Sequence, residues 1–352
     1  MVLAAWATAC RPQAAGQTAA PTATLPSAPA SSSPLPGTHG VALPTPATYP
    51  APGRFTTIPP PSGVAPPPGA LPYPAPTNVA TPVPTLARFN GARALDHAAA
   101  QMQWVPRDTG SAGWATCGDY IAEQFAQAGW AVENQRFDYK GVRCRNIIAK
   151  RGSGPGLIIG AHYDARRRAD RDPDPAKQND PVPAANDGAS GVAVLLELAR
   201  VLKPEDLEHE IWLAAFDAED NGELDGWEWI VGSQHMAENL TLKPQAVIVL
   251  DMIGDADQQI YYEQNSDEPM RAGLWEVADQ LGYASFVPET RYSMLDDHSP
   301  FLQRSYRAID VIDFDYPHWH TTNDTLDKIS AASLEAVGKS LEEWLLRGAP
   351  GV

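Results

Sequence analysis

Five polar clusters in this 352-residue chain bring together residue types that can do chemistry. They are His162-Tyr163-Asp164, Asn186-Asp187-Gly188, Asp217-Ala218-Glu219-Asp220, Asp251 and His318-Trp319-His320. Singly, each has an ordinary reading: His-x-Asp after a strand is a common loop, Asn-Asp-Gly is a turn or helix cap, and Glu219-Asp220 is a solvated edge. Together they gather carboxylates and imidazoles whose burial in one place is costly unless a positive charge unites them, and a divalent metal does so. Asp, Glu and His are the oxygen and nitrogen donors that zinc accepts at about 2.0–2.2 Å. Cys117 and Cys144 stand apart from the clusters, which favours an open catalytic site over a closed thiolate one.

Each cluster ends an apolar run or opens a helix, which says what must position it. Residues 156–162 (GLIIGAH), 210–216 (EIWLAAF), 246–251 (AVIVLD) and 308–314 (AIDVIDF) read as buried strands, and 142–150 as a further strand. Helical spacing marks 92–103, 113–129, 188–202, 228–239, 268–282 and 331–347. Strands alternating with helices predict a three-layer α/β/α sandwich around a mostly parallel or mixed sheet. Sites in such sheets form beyond the carboxyl ends of the strands, so the five clusters are expected to converge.

Composition limits the folded part to one domain. Of the 34 prolines, 21 fall between residues 12 and 84, in a stretch of Pro, Ala, Ser and Thr with hardly a charge, so residues 11–86 read as an extended, disordered tether. The remainder, 87–349, is long enough for one large core. A net charge of −17 excludes nucleic acid as a partner, since that needs clustered Lys and Arg. No run of 18 apolar residues occurs, which excludes a membrane-spanning helix. Residues 1–10 (MVLAAWATAC) are similar to the end of a lipoprotein signal with Cys10 as the lipidated residue, although the charged start is missing. The order of anchor, stalk and globular domain predicts an exported, membrane-anchored or extracellular or periplasmic protein. Cys117 and Cys144 are either a disulfide or two buried thiols.

The ordered motifs H-Y-D (162–164), N-D-G-A-S-G-V (186–192), D-A-E-D (217–220), L-D-M-I-G (250–254) and W-H-T (319–321) resemble the M28 zinc peptidase superfamily across about residues 90–347. The resemblance implies a zinc-aminopeptidase-like fold, metals shared by His162, Asp187, Asp220, Asp251 and His320, and Glu219 as general base. Asp220 departs from the Glu often found there, and its shorter arm would shift the metal. Asp164 would hold His162 by a hydrogen bond. Three details are similar to bacterial glutaminyl-peptide cyclotransferases of the animal type: the 162–192 loop with its D-P-D-P segment, Asp296-Asp297-His298-Ser299-Pro300-Phe301, and Trp319 directly before His320. In that branch one zinc on Asp187, Asp220 and His320 would polarise the γ-carboxamide of an N-terminal glutamine. Glu219 would carry a proton from the α-amine to the departing ammonia, inside an acidic network of Asp296 and Asp251. Trp319 and Trp227 or Trp229 would wall the substrate pocket. The aminopeptidase alternative uses two zincs, with His162 and Asp251 holding the second, and a metal-activated water. Either way the partners are peptide or protein N-termini. A third reading, a tethered binding protein without activity, would be marked by loss of the base or a ligand, and none is lost. His209, His235, His298 and His318 have no ligand role, although His298 could fix the loop carrying Asp296.

Overall fold

A computed structural model describes residues 88–352; the signal-like segment with Cys10 and the Pro-rich stretch lie outside the described residues. In chain order the elements are α1 (Gly91–Gln101), α2 (Ala112–Gln127), β1 (Ala131–Tyr139), β2 (Val142–Gly152), β3 (Gly156–His162), α3 (Ala189–Val201), β4 (Glu210–Phe216), α4 (Val231–Glu238), β5 (Pro244–Asp251), β6 (Ile260–Glu263), α5 (Glu268–Gln280), β7 (Phe286–Tyr292), α6 (Ser299–Gln303), β8 (Ala308–Ile312) and α7 (Ala331–Leu346). Six strands form one sheet in the order β1-β2-β4-β3-β5-β8. The run from β4 through β3 and β5 to β8 is parallel, and β1 and β2 join it antiparallel. β3 lies at the centre of the parallel run and is buried along its whole length, as an uninterrupted apolar strand must be.

Alternate residues of each strand feed two cores. Ile147, Leu157, Ile159, Leu213 and Ile248 face one layer, with α1, α2, α3, α5 and α7. Ile148, Ile158, Trp212, Phe216 and Val247 face the other, where α4 contributes Met236 and α6 contributes Phe301. This is the α/β/α sandwich around a mixed sheet that the alternation predicts. Local signals start several helices: Asn90, Ser111, Asp267 and Ser330 each accept a backbone N–H from the first turn of α1, α2, α5 and α7.

Some elements differ from the sequence expectation. β1 was not anticipated, because an edge strand carrying Glu133, Asn134, Gln135 and Arg136 has no clean alternation. It is held by a two-residue hairpin turn in which Lys140 and Gly141 both have positive φ, 48° and 80°. The helix expected from 228 begins only at Val231, since Ile230 N–H and Val231 N–H are bound to the carbonyls of Glu219 and Ala218. β8 ends at Ile312 because Asp313 turns aside to accept the Gln259 N–H at 2.9 Å. The short parallel pair β6–β7 and helix α6 were also missed. Cys117 and Cys144 are buried free thiols.

Candidate active site

The expected convergence occurs at the carboxyl edge of the parallel strands. His162 is the last residue of β3 and Asp251 the last of β5. Glu219 and Asp220 follow β4, Asp187 precedes α3, and His320 lies on the loop after β8. His162 Nε2 is 3.1 Å from Asp187 Oδ1 and 3.2 Å from Asp251 Oδ1. His320 Nε2 is 2.9 Å from Asp220 Oδ1 and 3.6 Å from Asp187 Oδ2. Two buried groups result, His162–Asp187–Asp251 and Asp187–Asp220–His320, with Asp187 common to both.

The backbone is bent to make this possible. Ala218, Met252 and His320 all adopt left-handed φ, 56°, 46° and 56°, costing roughly 1–3 kcal/mol each for non-glycine residues. Gly188 is required for a different reason: a Cβ there would lie 2.5 Å from the His162 carbonyl and 2.7 Å from its ring. Asp324, which the sequence reading overlooked, fixes the ligand loop by accepting the N–H groups of Asn186 and Asp187 at 2.8 and 3.1 Å. Asn186 in turn ties that loop to the β5 end through the Met252 carbonyl and the Gly254 N–H.

The electrostatics call for a cation. Burial, with Asp187 alongside, raises the Asp220 carboxyl well above its ordinary range. Burial and the neighbouring Asp296 push Asp251 up to about 7. Burial disfavours a charged His162, but Asp164, Asp187 and Asp251 outweigh it and raise its pKa. His320 moves the other way: burial and the guanidinium of Arg166 hold it well below its usual value, so it is a neutral donor. Asp187 Oδ2 and Asp220 Oδ2 are buried without a hydrogen-bond partner. Orphaned carboxylate oxygens beside a neutral imidazole fit a divalent metal.

Glu219 is placed to handle protons. Its N–H is held by Asp164 Oδ1 at 3.0 Å, and its carboxyl is raised well above the ordinary range by burial, against the pull of His162, and by Asp220, Asp297 and Asp296. Glu219, Asp296, Trp319 and Trp229 line one pocket with Met294, Phe314 and the ligands Asp187, Asp220, Asp251 and His320. Trp319 stacks on the His320 ring at 3.7 Å, and Trp229 lies near parallel to it at 5.9 Å.

Two expectations are corrected. Asp164 is 3.8 Å from His162 Nδ1, too long for the hydrogen bond assigned to it; its oxygens instead take the N–H groups of Glu219 and Asp220. Trp227 is not among the pocket walls: it packs with Tyr139 and under Arg167, and Trp229 takes the pocket position. Gly222 makes room for Trp229, since a Cβ there would come within 2.0 Å of the indole. Arg166 was also overlooked. Buried over Trp229 at 4.8 Å, it donates to the carbonyls of Asp220 and Gly222 and to both oxygens of Asp170. Its only sequence signal is a run of arginines, Arg166–Arg168, in an acidic chain. His298 is buried between Glu263 and Asp310, at 3.4 and 3.7 Å, next to the loop residue Asp296.

Residues 146–345 match the model of peptidase family M28. Among solved structures, the chain is similar to a leucine aminopeptidase precursor from Bacteroides thetaiotaomicron, at 31% identity and TM-score 0.71 over 75% of this chain and 99% of that one. It is equally similar to a glutaminyl cyclase from the same organism bound to N-acetylhistamine, at 31% identity and TM-score 0.70 over 74% and 98%. A glutaminyl-peptide cyclotransferase of Drosophila melanogaster is 25% identical over 292 residues, 69% of this chain and 78% of that protein.

Proposed function

The chain belongs to peptidase family M28, and we propose that within it the protein is a zinc-dependent glutaminyl-peptide cyclotransferase, converting N-terminal glutamine of peptides to pyroglutamate with release of ammonia. The observation that carries this reading is Asp296, buried in the pocket that it lines with Glu219, Trp319 and Trp229. Cyclisation supplies its nucleophile from the substrate: the α-amine attacks the γ-carboxamide carbon, the new C–N bond closes the ring, and the old C–N bond releases ammonia. Asp187, Asp220 and His320 would hold the zinc, which when bound supplies Lewis-acid polarisation of the carboxamide. Glu219 accepts the proton from the attacking amine and returns it to the leaving nitrogen, a task suited to a carboxyl whose pKa burial has raised. Asp220, Asp297 and Asp296 place negative charge around Glu219, favouring its return to the protonated form between transfers, and Asp251 lines the same pocket. Trp319 and Trp229 offer flat walls for the amide and exclude water that would hydrolyse it.

A second reading, a two-zinc aminopeptidase, is favoured by the complete second group His162–Asp187–Asp251. One experiment separates the two. The zinc-loaded full chain is incubated with a Gln-initiated and a Leu-initiated peptide and followed by mass spectrometry. Loss of ammonia from the Gln peptide with the Leu peptide intact is expected; shortening of the Leu peptide by one residue would transfer the assignment to aminopeptidase.

A further inference from the structure

On the side of the sheet's antiparallel edge, a cavity of about 420 Å³ opens between α2 and the β1–β2 hairpin. Its polar lining is unusual for a chain with a net charge of −17, because three arginines share it. Arg136 of β1 stands directly opposite Arg145 of β2, and Arg143 lies two residues along on the same sheet face. Like charges directly opposite on a sheet are destabilising. Two carboxylates border the cavity. Asp119 is spent on Arg145, whose Nη1 it holds at 2.6 Å, and Asp138 lies across the register from Arg143 without an ion pair to it, so three guanidiniums face two carboxylates. Arg136 and Arg143 are exposed and form no ion pair with any described residue, and the buried Nε of Arg145 has no acceptor. The remaining walls are the rings of Trp114 and Phe137, with the Arg145 guanidinium 5.6 Å from the Trp114 ring.

We infer that this cavity is a binding site for a small oxyanion, a carboxylate or phosphate, borne on an apolar or aromatic body. The planar forks of Arg136 and Arg143 match such a group, and the indole and phenyl walls match the body. The occupant supplies the negative charge that the hairpin face lacks. Arg145 is the wrong residue to vary, because its buried guanidinium holds Asp119 and the Ala115 carbonyl at 2.6 and 3.1 Å and lies over Trp114, whose indole holds Asp217 at 2.8 Å at the root of the Glu219 loop. Arg136 and Arg143 are free of that duty.

The test is isothermal calorimetry on the full zinc-loaded chain, with phenyl phosphate and benzoate as probes and benzyl alcohol as the uncharged control. Wild type is compared with the Arg136→Gln/Arg143→Gln double variant. Saturable binding of at least one anion is expected, weakened tenfold or more in the double variant, with melting temperature and peptide turnover unchanged and no binding of benzyl alcohol. Binding of phenyl phosphate alone assigns a phosphate ester; binding of benzoate alone or of both assigns a carboxylate-accepting site. Should the double variant melt early, each single variant, expected to weaken binding at least threefold, carries the decision. Absence of binding by either anion, equal affinity in wild type and variants, or equally tight benzyl alcohol overturns the inference.

Discussion

Replacing Arg166 by methionine tests how the site loop is held. The guanidinium is almost fully buried and donates to the carbonyls of Asp220 at 3.0 Å and Gly222 at 3.2 Å, while its other edge grips Asp170 at 2.6 and 3.0 Å. Methionine keeps the apolar stem but loses the guanidinium over Trp229 and strands two buried carbonyls, each worth about 1–3 kcal/mol when left unsatisfied. Asp170 is partly exposed and water can replace its partner, so its loss adds less. Two such carbonyls sum to about 2–6 kcal/mol, and the roughly 3–5 kcal/mol typical of removing one member of a buried charged cluster falls inside that range and sets the expected loss. At roughly 2–4 °C per kcal/mol for a domain of this size, melting should fall by about 6–20 °C. Because the lost bonds fix Asp220 and its neighbours, zinc affinity should fall with it. The assay pairs calorimetric melting with zinc competition against a chelating dye. Arg168→Met is the control: its partner Asp225 is half exposed, so its melting should move by no more than about 0.5 kcal/mol in stability. If Arg166→Met melts within 2 °C of wild type and binds zinc equally well, the reasoning about this loop is wrong.

Other changes bear on the chemistry and on pH. Glu219→Gln keeps the shape and the N–H bond to Asp164, so zinc content and melting should persist while kcat falls by about 10²–10⁴, the usual contribution of a general base; residual kcat above a tenth of wild type refutes the assignment. Asp296→Asn should lower glutamine cyclisation by at least tenfold with zinc content unchanged, measured by coupled ammonia release; an unchanged rate removes the observation on which the cyclotransferase reading rests. Burial pushes the Asp313 carboxyl up to about 7, so the folded state holds a proton that the unfolded chain releases near pH 4. Its stabilising contribution is complete below pH ~4 and is lost as pH rises through about 7, a change of up to roughly 4 kcal/mol. Asp313→Asn should therefore flatten the decline of stability between pH 5 and 8 in urea unfolding; an unaltered slope refutes it.

The parts of the fold written in apolar runs were legible, and the parts written in compromise were not. β3 and β4 could be read residue by residue because a buried parallel strand tolerates almost nothing but GLIIGAH or EIWLAAF. β1 could not, since an edge strand is specified by its partner and by the Lys140-Gly141 turn more than by its own residues. The ligands were legible for a related reason: His162 and Asp251 end apolar strands, Asp220 follows one and Asp187 precedes the apolar helix α3, where a polar residue has no packing role, whereas His320, on the loop after β8, was legible through its motif. Residues that serve the site through the backbone left no such mark. Asp324 and Asp164 act by accepting main-chain N–H groups of a loop distant in sequence, and nothing in their local context reports it. Trp227 and Trp229 are separated by one residue, and left-handed backbone at Asp225, Gly226 and Ile230 with the space left by Gly222 accompanies the placement of Trp229 against the ligands, which the local sequence does not announce.

The ligand set does not by itself choose between the two chemistries of the family, and the reason is geometric. Asp187 belongs to both metal groups, so the same carboxylate serves one ion or two. What differs is the source of the nucleophile. A hydrolase must keep a water between the metals and Glu219, and therefore gains from a polar, open approach. A cyclase gains from its absence, because water competes with the α-amine for the same carbon. On the cyclotransferase reading, the aromatic pair flanking His320, the apolar walls Met294 and Phe314, and the acid Asp296 keep solvent from Glu219 and favour a carboxyl that holds and returns a proton. Specificity on this reading lies in what surrounds the metal ligands: the same five side chains would serve hydrolysis if the walls admitted water.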